Sequence, residues 1–457
     1  MTHVAVIDIG KTNAKLALVD PATGAEVAVV TRPNTVLQGP PYPHFDIEGH
    51  WRFLTEALGQ FHRSHGIDAI SVTTHGASAA LLDAEGNLAV PVLDYEYGAP
   101  AQLRRPYDQI RPDFAQTGSA PLDGGLNLGL QLYWQFRQDP SLHARTHTIV
   151  TYPQYWGFRL TGAVATDVTS LGCHTDLWCP DTGQFSSLVD KLDIRDKIAP
   201  PRKSTDRLGT LTKEVAALTG LPAETPVTCG IHDSNASLYP HLIARTGPFA
   251  IVSTGTWVIA MAIGGAAVAL DPARDTLINV DATGNPVRSA RFMGGRSFDL
   301  LMPGETPAHD EAAQRQVLQA GTMLMPAVVQ GTGPFPNATP HWLGREPSGG
   351  SPQRAVAVGF YLAMMTATCL DLIGAGGPVI VEGAFTKNLP FLRMLAAATG
   401  RPVQATTSST GTSLGAALLA APEGQHPPAP SHIAPITEDS SDWLSYAARW
   451  RAAAQSA

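Results

Sequence analysis

Cysteine is scarce in this chain. There are four in 457 residues, at positions 173, 179, 229 and 369, and no Cys-x-x-Cys pair. That spacing excludes a disulfide scaffold and a paired-cysteine zinc site, even though His174 stands beside Cys173, and it predicts reduced thiols. Charge is sparse as well: 15% of residues, 31 Lys+Arg against 39 Asp+Glu, net −8, with no basic block. Neither nucleic acid nor an anionic membrane is expected as a partner. The first residues lack a basic region ahead of an apolar core, and Asp8 interrupts the opening apolar run. A signal peptide is therefore not expected, and the predicted location is cytoplasmic. No Walker A sequence occurs, and no Gly-x-Gly-x-x-Gly follows the first strand, which argues against P-loop and dinucleotide enzymes. One stretch, Thr246–Leu270, carries no charge at all. Pro248, Ser253-Thr254-Gly255-Thr256 and Gly264-Gly265 punctuate it, and its Val and Ile content predicts two buried strands joined by a turn rather than a membrane span.

What is present is a globular composition, 44% hydrophobic, on a chain long enough for two domains of about 200 residues each. The most informative stretch is the first. Val4–Ile9 and Leu16–Val19 read as two arms of a β-hairpin. Between them Asp8-Ile9-Gly10-Lys11-Thr12-Asn13-Ala14-Lys15 gathers a carboxylate, a small residue, hydroxyl and amide donors and two lysines. A hairpin that only turned would use Asn-Gly or Asp-Gly. This one has the groups a polyphosphate and a hydrated metal require, although an ordinary solvated turn is the competing reading.

Further along, a helix is predicted over 50–65, then a buried strand, Ala69–Thr73, running into Thr74-His75-Gly76. Ala79–Leu82 and Leu88–Leu93 read as a hairpin around Asp83–Asn87, and Asp94-Tyr95-Glu96 ends its second arm. Helices are predicted over Leu126–Phe136 and Tyr152–Leu160, with a surface loop from Trp178 to Phe185. Val227–Gly230 reads as a strand delivering Gly230-Ile231-His232-Asp233-Ser234 to a helix from Asn235. Asp233 at a strand end beside His232 suits a general base, and it equally suits a helix cap. The plan then restarts with strands at Ala250–Ser253 and Trp257–Ile263, a long apolar helix over Ala355–Ile373, and a strand at Pro378–Val381 ending in Glu382-Gly383-Ala384-Phe385-Thr386-Lys387-Asn388. A helix over Leu389–Thr399, a small-residue helix over Thr412–Ala421, a Pro-rich linker over Pro422–Pro435 and a closing helix over Trp443–Ala454 follow. Two strand-turn-strand units, one opening each half, suggest a duplicated α/β architecture with a ligand cleft.

Asp8–Lys15 resembles the first phosphate motif of the FGGY family of carbohydrate kinases. Gly230–Asp233 is similar to that family's catalytic aspartate segment, and Ser253-Thr254-Gly255-Thr256-Trp257 to its second phosphate motif. Gly383–Asn388 falls where the adenosine motif is expected, with Leu414-Gly415-Ala416-Ala417 as the small-residue helix after it. The agreement is collinear over nearly the whole chain. The resemblance implies an actin-like (ribonuclease-H-like) duplicated two-domain fold with a central interdomain cleft. Its domains would be 1–243 (sugar and phosphate), 244–430 (nucleotide) and 431–457 (linker and closing helix). It implies ATP and Mg2+ as cofactors and a small-molecule sugar as the other partner; a homodimer is the commonest oligomer, and the sequence does not specify one.

By the same resemblance, Asp233 is the catalytic base. His75, Gly76, Asp94, Glu96, His232 and Asp233 bind the sugar, and Asp8 and Asp233 hold the metal. Gly10, Lys11, Thr12, Asn13, Lys15, Ser253, Thr254, Gly255, Thr256, Gly383, Ala384 and Asn388 bind ATP and its phosphates. The chain departs from the family pattern at Lys11, at Thr74 (where glutamine often precedes His-Gly), and at Ala384 and Phe385 in place of glycines. Thr-Thr-x-Gly at 73–76 and Ser-x-Gly-Thr-Trp at 253–257 look most like the fuculokinase branch. The expected substrate is a ketose such as L-fuculose, with rhamnulose- and xylulose- or ribulose-type kinases as alternatives. A non-catalytic actin-fold sugar-binding or regulatory protein is the alternative of a different class.

Overall fold

The computed structural model describes residues 2–304, 307, 310–406, 411–421 and 435–455. Contacts divide the chain into two units: residues 1–246, 278–286 and 410–429, and residues 247–277, 287–409 and 430–457.

The first unit is built on the opening hairpin. Val4–Ile9 (β1) pairs antiparallel with Asn13–Asp20 (β2), which pairs with Ala25–Pro33 (β3). On its other side β1 pairs parallel with Ala69–Thr74 (β4), so Asp8 lies level with Lys15 across one edge and with Thr73 across the other. Arg207–Thr210 (β5) and Pro226–Thr228 (β6) complete the path β5-β6-β4-β1-β2-β3, and the short Ile231–His232 (β7) also pairs parallel with β4. β1 and β4 are buried almost throughout because they are central strands covered on both faces, and polar residues (Asp8, Thr73, Thr74) gather at their carboxyl ends. The helix Ile47–His65, capped by the Asp46 carboxylate on the Gly49 amide (3.0 Å), lays Leu54, Leu58 and Phe61 on one face of the sheet. Helices Asp233–Ala244 and Thr412–Leu418 contribute Ala236, Tyr239, Ala416 and Ala417 to a second cluster with Val4, Val6, Ala17 and Val19.

The small residues of Thr412–Leu418 have a steric reason. A Cβ at Gly415 would lie 1.7 Å from the Ala236 carbonyl oxygen of the helix that Asp233 begins. Gly415→Ala must push two helices apart. Overpacking of this kind costs typically 1–3 kcal/mol, and the urea midpoint is expected to fall accordingly; an unchanged midpoint would show slack between the helices.

The second unit repeats the plan. Phe249–Thr254 (β8) pairs antiparallel with Val258–Ile263 (β9), which pairs with Pro286–Phe292 (β10). β8 also pairs parallel with Val379–Gly383 (β11), and β11 with Val403–Ala405 (β12). The helices Pro352–Leu372, Leu389–Thr399 and Ser441–Gln455 pack its core. Both halves therefore share an antiparallel three-strand meander whose first strand continues into parallel neighbours, the actin-like, ribonuclease-H-like order.

Several local readings differ from the sequence expectation. Ala79–Leu82 pairs along its length with Thr148–Thr151; of residues 88–93, Leu88 makes an isolated bridge to Leu82 and Leu93 one to His44. Trp178 to Phe185 forms a two-stranded ribbon with Trp178 buried, not a surface loop. The uncharged stretch at 246–270 is the strand pair β8–β9. Pro352–Leu372 is long and apolar enough to cross a membrane, but most of it is buried as the core helix of its unit. The expected linker over Pro422–Pro435 lies, save Pro435, outside the described residues.

Candidate active site

In the first unit the parallel strands β1, β4 and β7 end together. Ligands of open α/β sheets bind at such carboxyl ends. Asp8 is the last polar residue of β1, His75 follows β4, and Asp233 follows β7 as the first residue of its helix.

Asp233 is held by one oxygen. Its Oδ1 accepts the Ser234 amide (2.6 Å) and hydroxyl (3.3 Å) and lies 3.2 Å from His232 Nε2. Its Oδ2 has no hydrogen bond among the described residues, and the side chain is one-third exposed. One lone-pair set orients the carboxylate and the other remains for a substrate proton. Asp233 thus begins its helix, and its carboxylate is held by its two sequence neighbours, Ser234 and His232.

His232, expected among the sugar ligands, has both ring nitrogens engaged within the protein. Nδ1 lies 3.4 Å from the Asn235 amide, and Nε2 faces Asp233 and, at 3.7 Å, Cys173 Sγ. Burial alone would depress its pKa, but the charges of the Cys173 thiolate and Asp233 outweigh it and favour the imidazolium. Gly76 leaves room for this ring: a Cβ there would stand 2.9 Å from His232 Nε2.

His75 is the opposite case. Its Nδ1 contacts the Gly76 carbonyl at 2.8 Å, and a carbonyl only accepts, so Nδ1 carries the proton. Burial lowers its pKa to about 4, so the ring is neutral and Nε2 is a bare acceptor. That Nε2 is buried and has no partner among the described residues. The rings of Phe45, Tyr95 and Tyr152 surround it, each 5.0 Å from the imidazole centroid. An unsatisfied buried acceptor costs about 1–3 kcal/mol, which a ligand hydroxyl would relieve.

Asp8 carries the marks of a cation site. Burial pushes its carboxyl up to about 6, against the pull of Lys15, and the neighbouring Asp233 charge adds to the rise. Lys15 Nζ sits 3.5 Å from Asp8 Oδ2 and 3.3 Å from Glu26. Two carboxylates that repel each other at the strand ends form a hard-oxygen donor set that fits a divalent ion retaining most of its water.

At the bend, Thr12 and Asn13 are exposed, and the Gly10 amide donates to the Asn13 carbonyl (2.9 Å). Sequence reasoning missed what holds this bend. Asn34 donates to the Gly10 carbonyl (2.8 Å) while its own carbonyl faces His50 Nε2 (2.8 Å), and Arg32 joins His50 to Asp46. Nothing local marks Asn34; it meets Gly10 because β3 lies beside β2. Lys11, expected on phosphate, is instead paired with Asp94 and, at 3.1 Å, with Glu96.

In the second unit a cavity of about 600 Å³ is lined by Gly255, Thr256, Gly295, Phe298, Pro352, Val356 and the 384–390 segment, with Asp299, Asp310 and Lys387 at its polar positions. It is of the size that takes a nucleotide. Thr254 ties its wall together: its hydroxyl donates to the Glu382 carbonyl and accepts the Phe385 amide (3.0 Å). Gly383 has φ +84°, and a Cβ there would meet the Thr254 carbonyl at 2.1 Å, so this position requires glycine. Phe385, where the family pattern has glycine, buries its ring against Phe298 and Phe391 and only edges the cavity. Asn388 caps the helix Leu389–Thr399 by accepting the Phe391 amide (3.1 Å). Ser253, expected with the phosphate ligands, is half-buried within β8. Among the described residues no cluster of three His, Cys, Asp or Glu side chains forms a metal cage, and all four cysteines are free.

A meander-led sheet occurring twice in one chain defines the actin-like class of two-domain proteins. Within that class the chain belongs to the FGGY family of carbohydrate kinases: residues 3–239 match its N-terminal domain and 246–428 its C-terminal domain. A carbohydrate kinase structure from Novosphingobium aromaticivorans superposes with a TM-score of 0.91 at 36% identity, covering 98% of this chain and all of that one. L-fuculokinase of Escherichia coli K12 is 26% identical over 56% of this chain and 56% of its own length. Rhamnulokinase of Bacteroides thetaiotaomicron is 25% identical over 55% and 53% respectively. The match therefore spans about half the length of these curated relatives.

Proposed function

We propose that the protein transfers the γ-phosphoryl group of ATP to a hydroxyl of a ketose, with L-fuculose first among candidates and L-rhamnulose and xylulose- or ribulose-type ketoses next. The observation that carries this reading is Asp233: a carboxylate fixed through Oδ1, with Oδ2 unengaged, at the strand ends that also bring Asp8 and the empty acceptor of His75.

Asp233 Oδ2 takes the proton of the attacking hydroxyl. Oδ1 stays on the Ser234 amide and His232, so the carboxylate does not swing. His75 Nε2 accepts a hydroxyl of the sugar, and the surrounding rings of Phe45, Tyr95 and Tyr152 offer an apolar face to its C–H groups. That face favours a deoxyketose, although a methyl discriminates by only about 1–3 kcal/mol. The exposed bend of Thr12 and Asn13, with Lys15 beside it, supplies donors for phosphate oxygens. The second unit's cavity takes the nucleoside, with Gly255 and Thr256 at its phosphate end. Asp8 and Asp233 would hold magnesium largely through its water, and the bound ion would neutralise phosphate charge. In a loose phosphoryl transition state, such positioning supplies most of the catalysis.

An ADP-release assay over L-fuculose, L-rhamnulose, D-xylulose, L-ribulose and the matching aldoses tests the reading. A ketose-dependent signal is expected, strongest with a 6-deoxyketose. ADP release that no sugar stimulates would refute it.

A further inference from the structure

Lys11 sits by sequence in the bend expected to bind phosphate, yet its ammonium is engaged by residues 94–96 and Phe45. It pairs with Asp94 and Glu96 and lies over two aromatic rings, 5.0 Å from the Tyr95 centroid and 5.5 Å from that of Phe45. Both rings also pack against His75, whose environment includes the charges of Lys11 and Asp233 together. The ammonium is thus placed with the groups assigned above to the sugar, and its charge is already committed to two carboxylates.

The geometry points to Lys11 as a specificity-determining residue for the sugar acceptor, and not as a phosphate ligand; this rests on the kinase reading of the site. Asp94 is nearly buried, its side chain 10% exposed, and Lys11 is its charge partner. An ammonium has three N–H donors. Asp94 and Glu96 engage two, which leaves the third, beside the Tyr95 and Phe45 rings, to donate to a sugar oxygen. His75 Nε2 then accepts a hydroxyl from the same molecule. A donor and an acceptor flanking an apolar wall select an uncharged polyhydroxylated acceptor. The carboxylates Asp8, Asp94, Glu96 and Asp233 outnumber Lys11 and Lys15, which disfavours sugar acids.

The test is Lys11→Met, which keeps the stem and removes the charge, with Lys11→Arg as the conservative variant. Steady-state constants are measured for ATP and for the best ketose of the panel, and ketose binding is measured separately by calorimetry without nucleotide. Lys11→Met is expected to raise the ketose KM and its Kd at least tenfold, leave the ATP KM within twofold, and lower kcat less than the ketose KM rises. Lys11→Arg is expected to recover part of the ketose affinity. A rise in the ATP KM with ketose binding unchanged would overturn the proposal in favour of a phosphate role, and no change in either would make Lys11 a bystander. Calorimetry separates the two levels of inference. A wild-type protein that binds a ketose but does not phosphorylate it refutes the kinase reading while still testing Lys11. One that binds no sugar refutes both.

Discussion

Asp233→Asn is expected to lower kcat by roughly 10²–10⁴-fold, the usual worth of a positioned general base, while ketose affinity and folding stay close to wild type. The asymmetry follows from how the carboxylate is held. An asparagine can keep its oxygen on the Ser234 amide and near His232, preserving the Oδ1 contacts. What it loses is Oδ2, the oxygen with no hydrogen bond among the described residues, which becomes an amide donor where a proton must be accepted. The side chain is one-third exposed, so no buried group is orphaned. Single-turnover phosphorylation and calorimetric ketose binding check the two halves. A variant with near-normal turnover removes Asp233 as the base. One that no longer binds the ketose assigns it to recognition instead.

The position of Asp233 was legible in the sequence because a strand giving way to a helix leaves local marks, and Gly230-Ile231-His232-Asp233 shows that punctuation. The same holds for the Gly10 and Gly255 turns and for Gly383, where a side chain would collide with the Thr254 carbonyl. These are local requirements and leave local marks. The pairing of Ala79–Leu82 with Thr148–Thr151 left none, since the intervening turn at 83–87 made a hairpin look sufficient. Strand propensity does not say which strand is the partner. The ion pairs of Lys11 were illegible for a related reason. Its neighbours in sequence are phosphate-type residues, but a four-carbon stem reaches to carboxylates contributed by residues 94 and 96. Nor did any pattern announce Asn34, His50, Cys173 or Tyr152, which support the site from segments that meet it only through tertiary packing.

Asp8→Asn separates function from stability. Burial holds the Asp8 carboxyl at about 6 in the folded protein, against 3.8 for the ordinary group. The folded state therefore binds this proton more tightly than the unfolded one. Below about pH 4 the group is protonated in both states and has no effect. Between pH 4 and 6 the unfolded chain ionises first, and stability falls as pH rises; above about 6 the loss is complete. At about 1.4 kcal/mol per unit, the penalty at neutral pH is on the order of 2–3 kcal/mol. Asparagine is uncharged at every pH and does not carry it, and Lys15 keeps Glu26 as a partner. Asp8→Asn should therefore melt a few degrees above wild type at pH 7.5, with the gap closing near pH 4. Magnesium should stabilise the wild type at pH 7.5 more than the variant, because the proposed site would lose Asp8, one of its two carboxylates. Phosphoryl transfer by the variant should drop by roughly 10²-fold or more, since metal charge stabilisation is worth several kcal/mol. Scanning calorimetry at the two pH values, with and without magnesium, tests the account. A variant less stable than wild type at pH 7.5, or a gap that does not depend on pH, would show that the carboxylate is not held against its own charge. If it is held so, the folded chain keeps a destabilised carboxylate at β1, as the proposed cation site would require.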